Sequence, residues 1–209
     1  MKRDFDADAQ TWDQNQDRLR MALAVADAMA AELRLSGGET LLDYGTGTGV
    51  VGLRLAPLVK GVLCADSSRG MLDVLDTKIR SSDRTNIRSV LLDLDQATEP
   101  SALIPPVDVL VSSMALHHIA DTAALVRKFF ALLRPGGRLA LADLDTEPGD
   151  FHADNTGVEH FGFDRAHLER LVGEAGFGAV ATRTAHTMTK TTAAGVEREF
   201  SIFLLTGRR

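Results

Sequence analysis

Short apolar runs recur along the chain, and stretches of helical periodicity separate them. Glu39 to Asp43, Gly61 to Asp66, Asn86 to Asp93, Val107 to Ser113 and Arg138 to Leu144 read as strands. Leu19, Ala22, Leu23, Ala26, Met29, Ala30 and Leu33 recur at helical spacing, which predicts a helix from Arg18 to Leu35 stopped by Gly37-Gly38. A further helix opens at Val50 and meets Pro57, and another begins after Ser67 or Ser68 as cap. Asp121 caps a helix running to Leu133, and Asp164 caps one over Arg165 to Glu174. Two last strand-like runs, Ala179 to Met188 and Phe200 to Thr206, are separated by Lys190 to Glu199. That gap is too short for a helical crossover, so the sheet should close in an antiparallel pair. Alternating strands and helices predict an α/β domain. With no internal repeat, residues 1–209 read as one domain, with an N-terminal segment (1–37) and an insert (146–163).

Composition narrows the class. The 209 residues are 44% hydrophobic and 25% charged, as in an ordinary globular protein. The single cysteine, Cys64, lies in an apolar run and allows no disulfide within the chain. Met1 to Asp6 lacks the apolar core of a signal peptide, and no run reaches membrane-span length, so a cytoplasmic protein without a membrane partner is expected. A net charge of −6 argues against nucleic acid as a partner.

The chemistry centres on Leu41-Leu42-Asp43-Tyr44-Gly45-Thr46-Gly47-Thr48-Gly49, followed by the helix at Val50. Strand, glycine turn and helix let a ligand touch bare backbone at a helix N-terminus. Gly47 to Gly52 is also a literal match to the dinucleotide fingerprint. Its first glycine, however, falls four residues beyond the apolar strand residues, and Asp43 would face a negative pyrophosphate. A carboxylate at that strand end suits a ligand carrying a positive amino group. Asp66 ends the next strand 17 residues after Gly49, near the distance of a ribose-binding acid.

Asp-x-Gly-x-Gly-x-Gly after an apolar strand resembles motif I of the class I S-adenosylmethionine-dependent methyltransferases. The Leu133-Arg134-Pro135-Gly136-Gly137 run and the His117-His118 pair after the fourth strand resemble further motifs of that family. The resemblance is nearest to the small-molecule, ubiquinone/menaquinone-biosynthesis-like group. It implies a Rossmann-like seven-stranded sheet, mostly parallel with an antiparallel C-terminal strand and helices on both faces. It also implies S-adenosyl-L-methionine as cofactor, held by Asp43, Gly45, Thr46, Gly47 and Gly49, by Asp66, Ser67 and Met71, by Asp93 with the Leu94 backbone, and by Ser113. Asp95 is an alternative to Asp93 as the adenine reader.

By the same resemblance, the N-terminal segment with the lone Trp12 is a lid, and His152 and His160 in the insert face substrate. His117 or His118 is a candidate proton acceptor, and only one of them should see substrate, because adjacent helical residues diverge. With His117 or His118, His152 and His160 could in principle form a metal site, but they show no recognisable ligand spacing, and no metal is expected. Ser112-Ser113-Met114-Ala115 stands where base-methylating enzymes carry Asn-Pro-Pro-Tyr, and the glutamate hairpin of protein arginine methyltransferases has no counterpart. The expected activity is therefore methyl transfer to a small organic acceptor. Two alternatives stay open: a non-catalytic binder of S-adenosylmethionine or its demethylated product, and a nicotinamide-dependent oxidoreductase.

Overall fold

The computed structural model describes residues 3–94 and 104–209. Seven strands form one sheet in the order β3-β2-β1-β4-β5-β7-β6. These are β1 (Thr40–Tyr44), β2 (Gly61–Asp66), β3 (Ile87–Leu91), β4 (Val107–Ser113), β5 (Leu133–Leu144), β6 (Gly178–Thr191) and β7 (Glu197–Arg208). The chain builds outward from β1 through β2 to β3, then returns to lay β4 on the other flank of β1. The order reverses between β1 and β4, and in open α/β sheets ligands bind outside the carboxyl ends of the strands at that point. β7 runs antiparallel to both β5 and β6, the C-terminal hairpin anticipated from the short 190–199 spacing.

Both faces are covered, which is why the central strands carry apolar residues at successive positions. Leu41, Val62, Cys64, Val109 and Val111 pack with α2 (Gln16–Leu33), α3 (Val50–Leu55) and α4 (Arg69–Arg80). Leu42, Leu63, Leu110, Leu139 and Leu141 pack on the opposite face with α5 (Thr122–Leu132) and α6 (Arg165–Glu174). A four-residue helix, α1 (Phe5–Asp8), precedes them. The caps are local and legible: the Ser68, Asp121 and Asp164 side chains accept from the N–H groups of Met71, Ala124 and His167.

Three boundaries differ from expectation. α2 ends at Leu33, because Arg34 turns left-handed (φ +46°) and starts the exit before the glycines do. β3 ends at Leu91, two residues before Asp93. The Arg134–Gly137 turn does not precede β5 but bulges within it: Val107 pairs Leu133 and Val109 pairs Arg138. Arg209 brackets that bulge, its N–H on Gly137 O (2.9 Å) and its O on Gly136 N–H (2.8 Å).

Glu39 ties the N-terminal helix to the sheet. Its carboxylate meets the Arg138 guanidinium at 2.6 Å and accepts from Ser36 N–H and Oγ–H, while Arg138 also donates to the Leu33 carbonyl. Burial alone would raise the Glu39 pKa, but Arg138 and the Ser36 hydrogen bonds outweigh it and hold the group down at about 2. A depressed acid stabilises the fold above its unfolded pKa and loses that stabilisation as pH falls toward the folded value. Glu39→Gln should therefore cost about 2 kcal/mol at pH 7. Urea titrations from pH 7 to 2 should show this penalty shrinking below about pH 4.5.

Candidate active site

The glycine turn after β1 forms the floor of the site. Gly45, Gly47 and Gly49 all take left-handed φ values, and Gly45 N–H and Thr46 N–H both bond Ala65 O (2.8 and 3.0 Å). At Gly49 (φ +83°) any other residue would strain the backbone and push Leu75 aside, since a Cβ would stand 2.3 Å from Leu75 Cδ1. Asp43 lies beneath this turn, 1% exposed. Its Oδ2 accepts from the Thr46 hydroxyl at 2.6 Å. Burial pushes its pKa up to about 6, against the Thr46 and Gly52 hydrogen bonds that lower it. Asp43 thus braces the turn from below while lining the cavity above.

Asp66 ends β2 beside the cavity without lining it: Oδ2 accepts from Gly47 N–H in the glycine turn (2.7 Å) and Oδ1 from Ser68 N–H at the head of α4 (2.9 Å). Burial raises its pKa more than these bonds lower it. The other cofactor candidates divide. Ser113, Thr46 and Gly47 line the cavity. Ser67 is exposed, and Ser68 caps α4 instead. Met71 is buried, 2% exposed, and does not line the cavity. Leu94 is fully buried, Asp93 is half-buried, and Asp95 lies outside the described residues.

The N-terminal segment closes one side of the cavity. Trp12 lines it, with the Arg18 guanidinium 3.8 Å from its ring centroid and the Phe5 ring edge-on at 5.9 Å. Two acids that sequence reasoning passed over fasten the segment to the site. Asp6 accepts from Ser68 Oγ–H (2.5 Å) and Gly70 N–H (2.7 Å), and Asp13 accepts from Thr48 Oγ–H (2.7 Å) and pairs with Lys78 (2.6 Å). Only their abundance in residues 4–17 signalled them.

The opposite wall is built after β4. Met114 turns left-handed (φ +56°), a costly state for a side chain of that size, and leads into a single 3₁₀ turn, Leu116–His118. The expectation that only one histidine would face the site is corrected here. Both rings line the cavity, their centroids 4.1 Å apart, because one tight turn and the folded-back insert replace the α-helix that the divergence argument assumed.

Asp143, fully buried at the end of β5, holds His117: Oδ1 lies 2.7 Å from Nδ1, and Oδ2 accepts from the His117 backbone N–H. Burial acts to raise the Asp143 pKa, but the pairing with His117 and these bonds set it below the ordinary carboxylate range. An acid buried at a strand's carboxyl end was the available signal for Asp143. His118 Nδ1 lies 2.7 Å from Gly157 O, and His152 Nε2 lies 3.2 Å from His117 Nε2. Burial first, then neighbouring positive groups, lowers the His118 pKa to about 4 and that of His152 to about 3, so both are neutral at pH 7. His160 does not join them: its Nε2 bonds Ile119 O at 2.9 Å and its ring packs by Phe163, outside the cavity wall. His160, expected on the substrate side, thus does not line this cavity.

Residues 42–139 match the methyltransferase domain family. Over that stretch the chain carries a methyltransferase domain, similar to the class I S-adenosylmethionine-dependent enzymes. An uncharacterized methyltransferase of Schizosaccharomyces pombe is 37% identical over 138 residues, 60% of this chain and 48% of that protein. The ubiquinone/menaquinone biosynthesis C-methyltransferase of Vibrio vulnificus is 31% identical over 110 residues, 51% of this chain and 41% of that one. The chain thus spans less than half the length of either relative. A methyltransferase structure from Aquifex aeolicus shares the fold with a TM-score of 0.68 at 16% identity, over 97% of each chain. The methyltransferase sheet accounts for the antiparallel β7, and S-adenosylmethionine is the cofactor of this family.

Proposed function

We propose that this methyltransferase transfers a methyl group from S-adenosylmethionine to a small organic acceptor. The observation that carries the reading is the cavity at the β1/β4 switch point. Its floor is the glycine turn at Gly45–Thr48, its lid is the Trp12 segment, and its far wall is the His117-His118 turn. The residues present fit the cofactor. A Cβ added at Gly47 would meet nothing within 4 Å, so the backbone there lies bare, and acids stand at the ends of β1 and β2. Asp43 places negative charge under the amino-acid end, and Asp66 offers acceptors to the ribose hydroxyls. Ser113 and Thr46 line the space between, and Asp93 with the Leu94 backbone serves the adenine end.

When bound, the cofactor presents a methyl group on cationic sulfur, and that carbon–sulfur bond breaks as the acceptor bonds the carbon. The chain supplies orientation and water exclusion. Trp12 and Phe5 cover the cavity, and Arg3 and Lys190 line it, which suits an acceptor that is anionic when it reacts. His117, with Asp143 on Nδ1, presents Nε2 as the proton acceptor, and His118 and His152 complete the acceptor-side wall. With a net charge of −6 and no helix among the described residues long and apolar enough to cross a membrane, a cytoplasmic protein without nucleic-acid or membrane partners is the matching setting.

The test is titration calorimetry with S-adenosylmethionine, its demethylated product and NADH, followed by an acceptor screen read as product formation. Micromolar binding of the first two supports the reading, and binding of NADH alone overturns it. Binding without turnover on any acceptor favours a non-catalytic binder. Trp12 is the only tryptophan and lines the cavity. Its fluorescence should shift on cofactor binding, and Trp12→Phe should abolish that signal while changing affinity less than tenfold.

A further inference from the structure

We infer that His117, His118 and His152 form a binding site for one divalent transition-metal ion on the acceptor side of the cavity. The inference rests on the proposed function for the place of the acceptor and replaces its proton step: with Nε2 on the ion, His117 no longer takes the proton. Each histidine offers a ring nitrogen within 4.8 Å of those of the other two, and all three line the cavity. Their other contacts leave the ligating positions free. Asp143 takes the Nδ1–H of His117, and Gly157 O takes that of His118, so on each ring Nε2 keeps its lone pair. A carboxylate behind a histidine fixes the tautomer and raises the basicity of a metal ligand.

The spacing agrees. Two nitrogens at about 2.0–2.1 Å from a tetrahedral zinc stand about 3.3 Å apart. His117 Nε2 and His152 Nε2 are 3.2 Å apart. Without metal, a proton on one of the two Nε2 atoms would bridge the pair, and to take a cation that ring would carry its proton on Nδ1 instead.

The donor set defines the ion. Three imidazoles with no thiolate suit zinc and its divalent neighbours, and a three-histidine site leaves one position open. All three rings line the cavity, so an acceptor held there would reach the ion. There the ion would bind a hydroxyl or thiol of the acceptor. The O–H or S–H proton leaves to solvent, and the oxygen or sulfur stays on the ion as an anion. The substrate class is therefore a small acceptor with an ionisable hydroxyl or thiol. Sequence spacing hid this set, because His152 lies 35 residues beyond His117 and only the insert returns it.

The experiment uses the full chain, stripped with chelator and dialysed against Zn²⁺, with metal content by mass spectrometry and affinity by calorimetry at pH 7.5. The expected result is one zinc per chain with a Kd of about 1 μM or tighter, and tetrahedral visible bands when Co²⁺ is substituted. His152→Ala should weaken zinc binding about 100-fold, and Asp143→Asn about 10–100-fold. His160→Ala, outside the cavity, should leave it unchanged. Binding of S-adenosylhomocysteine by the same samples reports folding and the cofactor reading separately. Loss of that binding in the wild type fells the cofactor reading and leaves the zinc count to stand alone. Absent zinc with intact S-adenosylhomocysteine binding overturns the metal site and leaves His117 a metal-free proton acceptor. Undiminished zinc in His152→Ala overturns it as well.

Discussion

Asp66→Ala should weaken S-adenosylhomocysteine binding by at least tenfold, and the loss should trace to the ribose hydroxyls. The carboxylate ends β2 beside the glycine turn and already accepts from Gly47 N–H and Ser68 N–H. Its two oxygens carry about four acceptor sites, and with the Ser67 N–H also bonded to it about one remains for a sugar hydroxyl. A charge-assisted hydrogen bond is worth about 1.5–3 kcal/mol, or roughly 10- to 100-fold in affinity. Because the same group braces the turn, a bare affinity loss is ambiguous. A double-mutant cycle resolves it. Calorimetry should show wild type losing tenfold or more when the ligand lacks its 2′ and 3′ hydroxyls, and Asp66→Ala losing little further. Equal sensitivity to the hydroxyls in both proteins would remove Asp66 from the ribose and leave it as a brace.

Gly162→Ala should lower stability by about 3 kcal/mol, a fall in Tm of roughly 6–12 °C for a chain of this size. Gly162 sits where the insert rejoins the body. Its φ is +74°, and a Cβ there would stand 2.1 Å from Asp145 O and 2.9 Å from Leu144 O. Both obstacles are backbone and cannot turn aside. Phe163 N–H bonds Leu144 O at 2.8 Å and Glu147 N–H bonds Phe161 O at 2.9 Å, closing the insert like a clasp. The insert also carries His152 and the Gly157 carbonyl that orients His118. Acceptor turnover should therefore fall together with thermal stability, while S-adenosylhomocysteine affinity, which depends on the β1 and β2 ends, changes much less. A Tm within 2 °C of wild type would show that the clasp yields without cost.

The parts that were legible in the sequence share one property: their cause lies within a few residues. Asp121 and Asp164 cap their helices because each accepts from an N–H three residues on. The β2 strand and its closing Asp66 follow from an apolar run and the acid after it. The left-handed φ values at Gly45, Gly47 and Gly49 follow from residues that alone bear them cheaply. The Lys190 to Glu199 spacing decided the antiparallel end of the sheet, since no crossover fits within it.

Where several elements had to meet, sequence reasoning failed in consistent ways. Met71 reads equally as an adenine contact or as core, and the structure leaves it 2% exposed and off the cavity wall. His160 and His152 lie in the same insert with similar neighbours. One is spent on Ile119 O and the other reaches His117, and the path of the loop alone separates them. The histidine pair was read as divergent because an α-helix was assumed. Met114 turns the backbone left-handed there, a conformation no residue-by-residue propensity predicts for methionine.

By itself, then, the sequence determined the α/β class, the glycine turn, the acids at the ends of β1 and β2, and the helix caps. Each depends on chain stiffness, hydrophobic periodicity or a hydrogen bond closed within one turn. The tertiary structure alone decided that the Trp12 segment is fastened over the cavity by Asp6 and Asp13, that Asp143 backs His117, and that three histidines converge. Those arrangements join residues 26 to 62 positions apart, brought together by packing of both sheet faces and by the clasped insert. Burial there, not local preference, chooses which polar groups must meet.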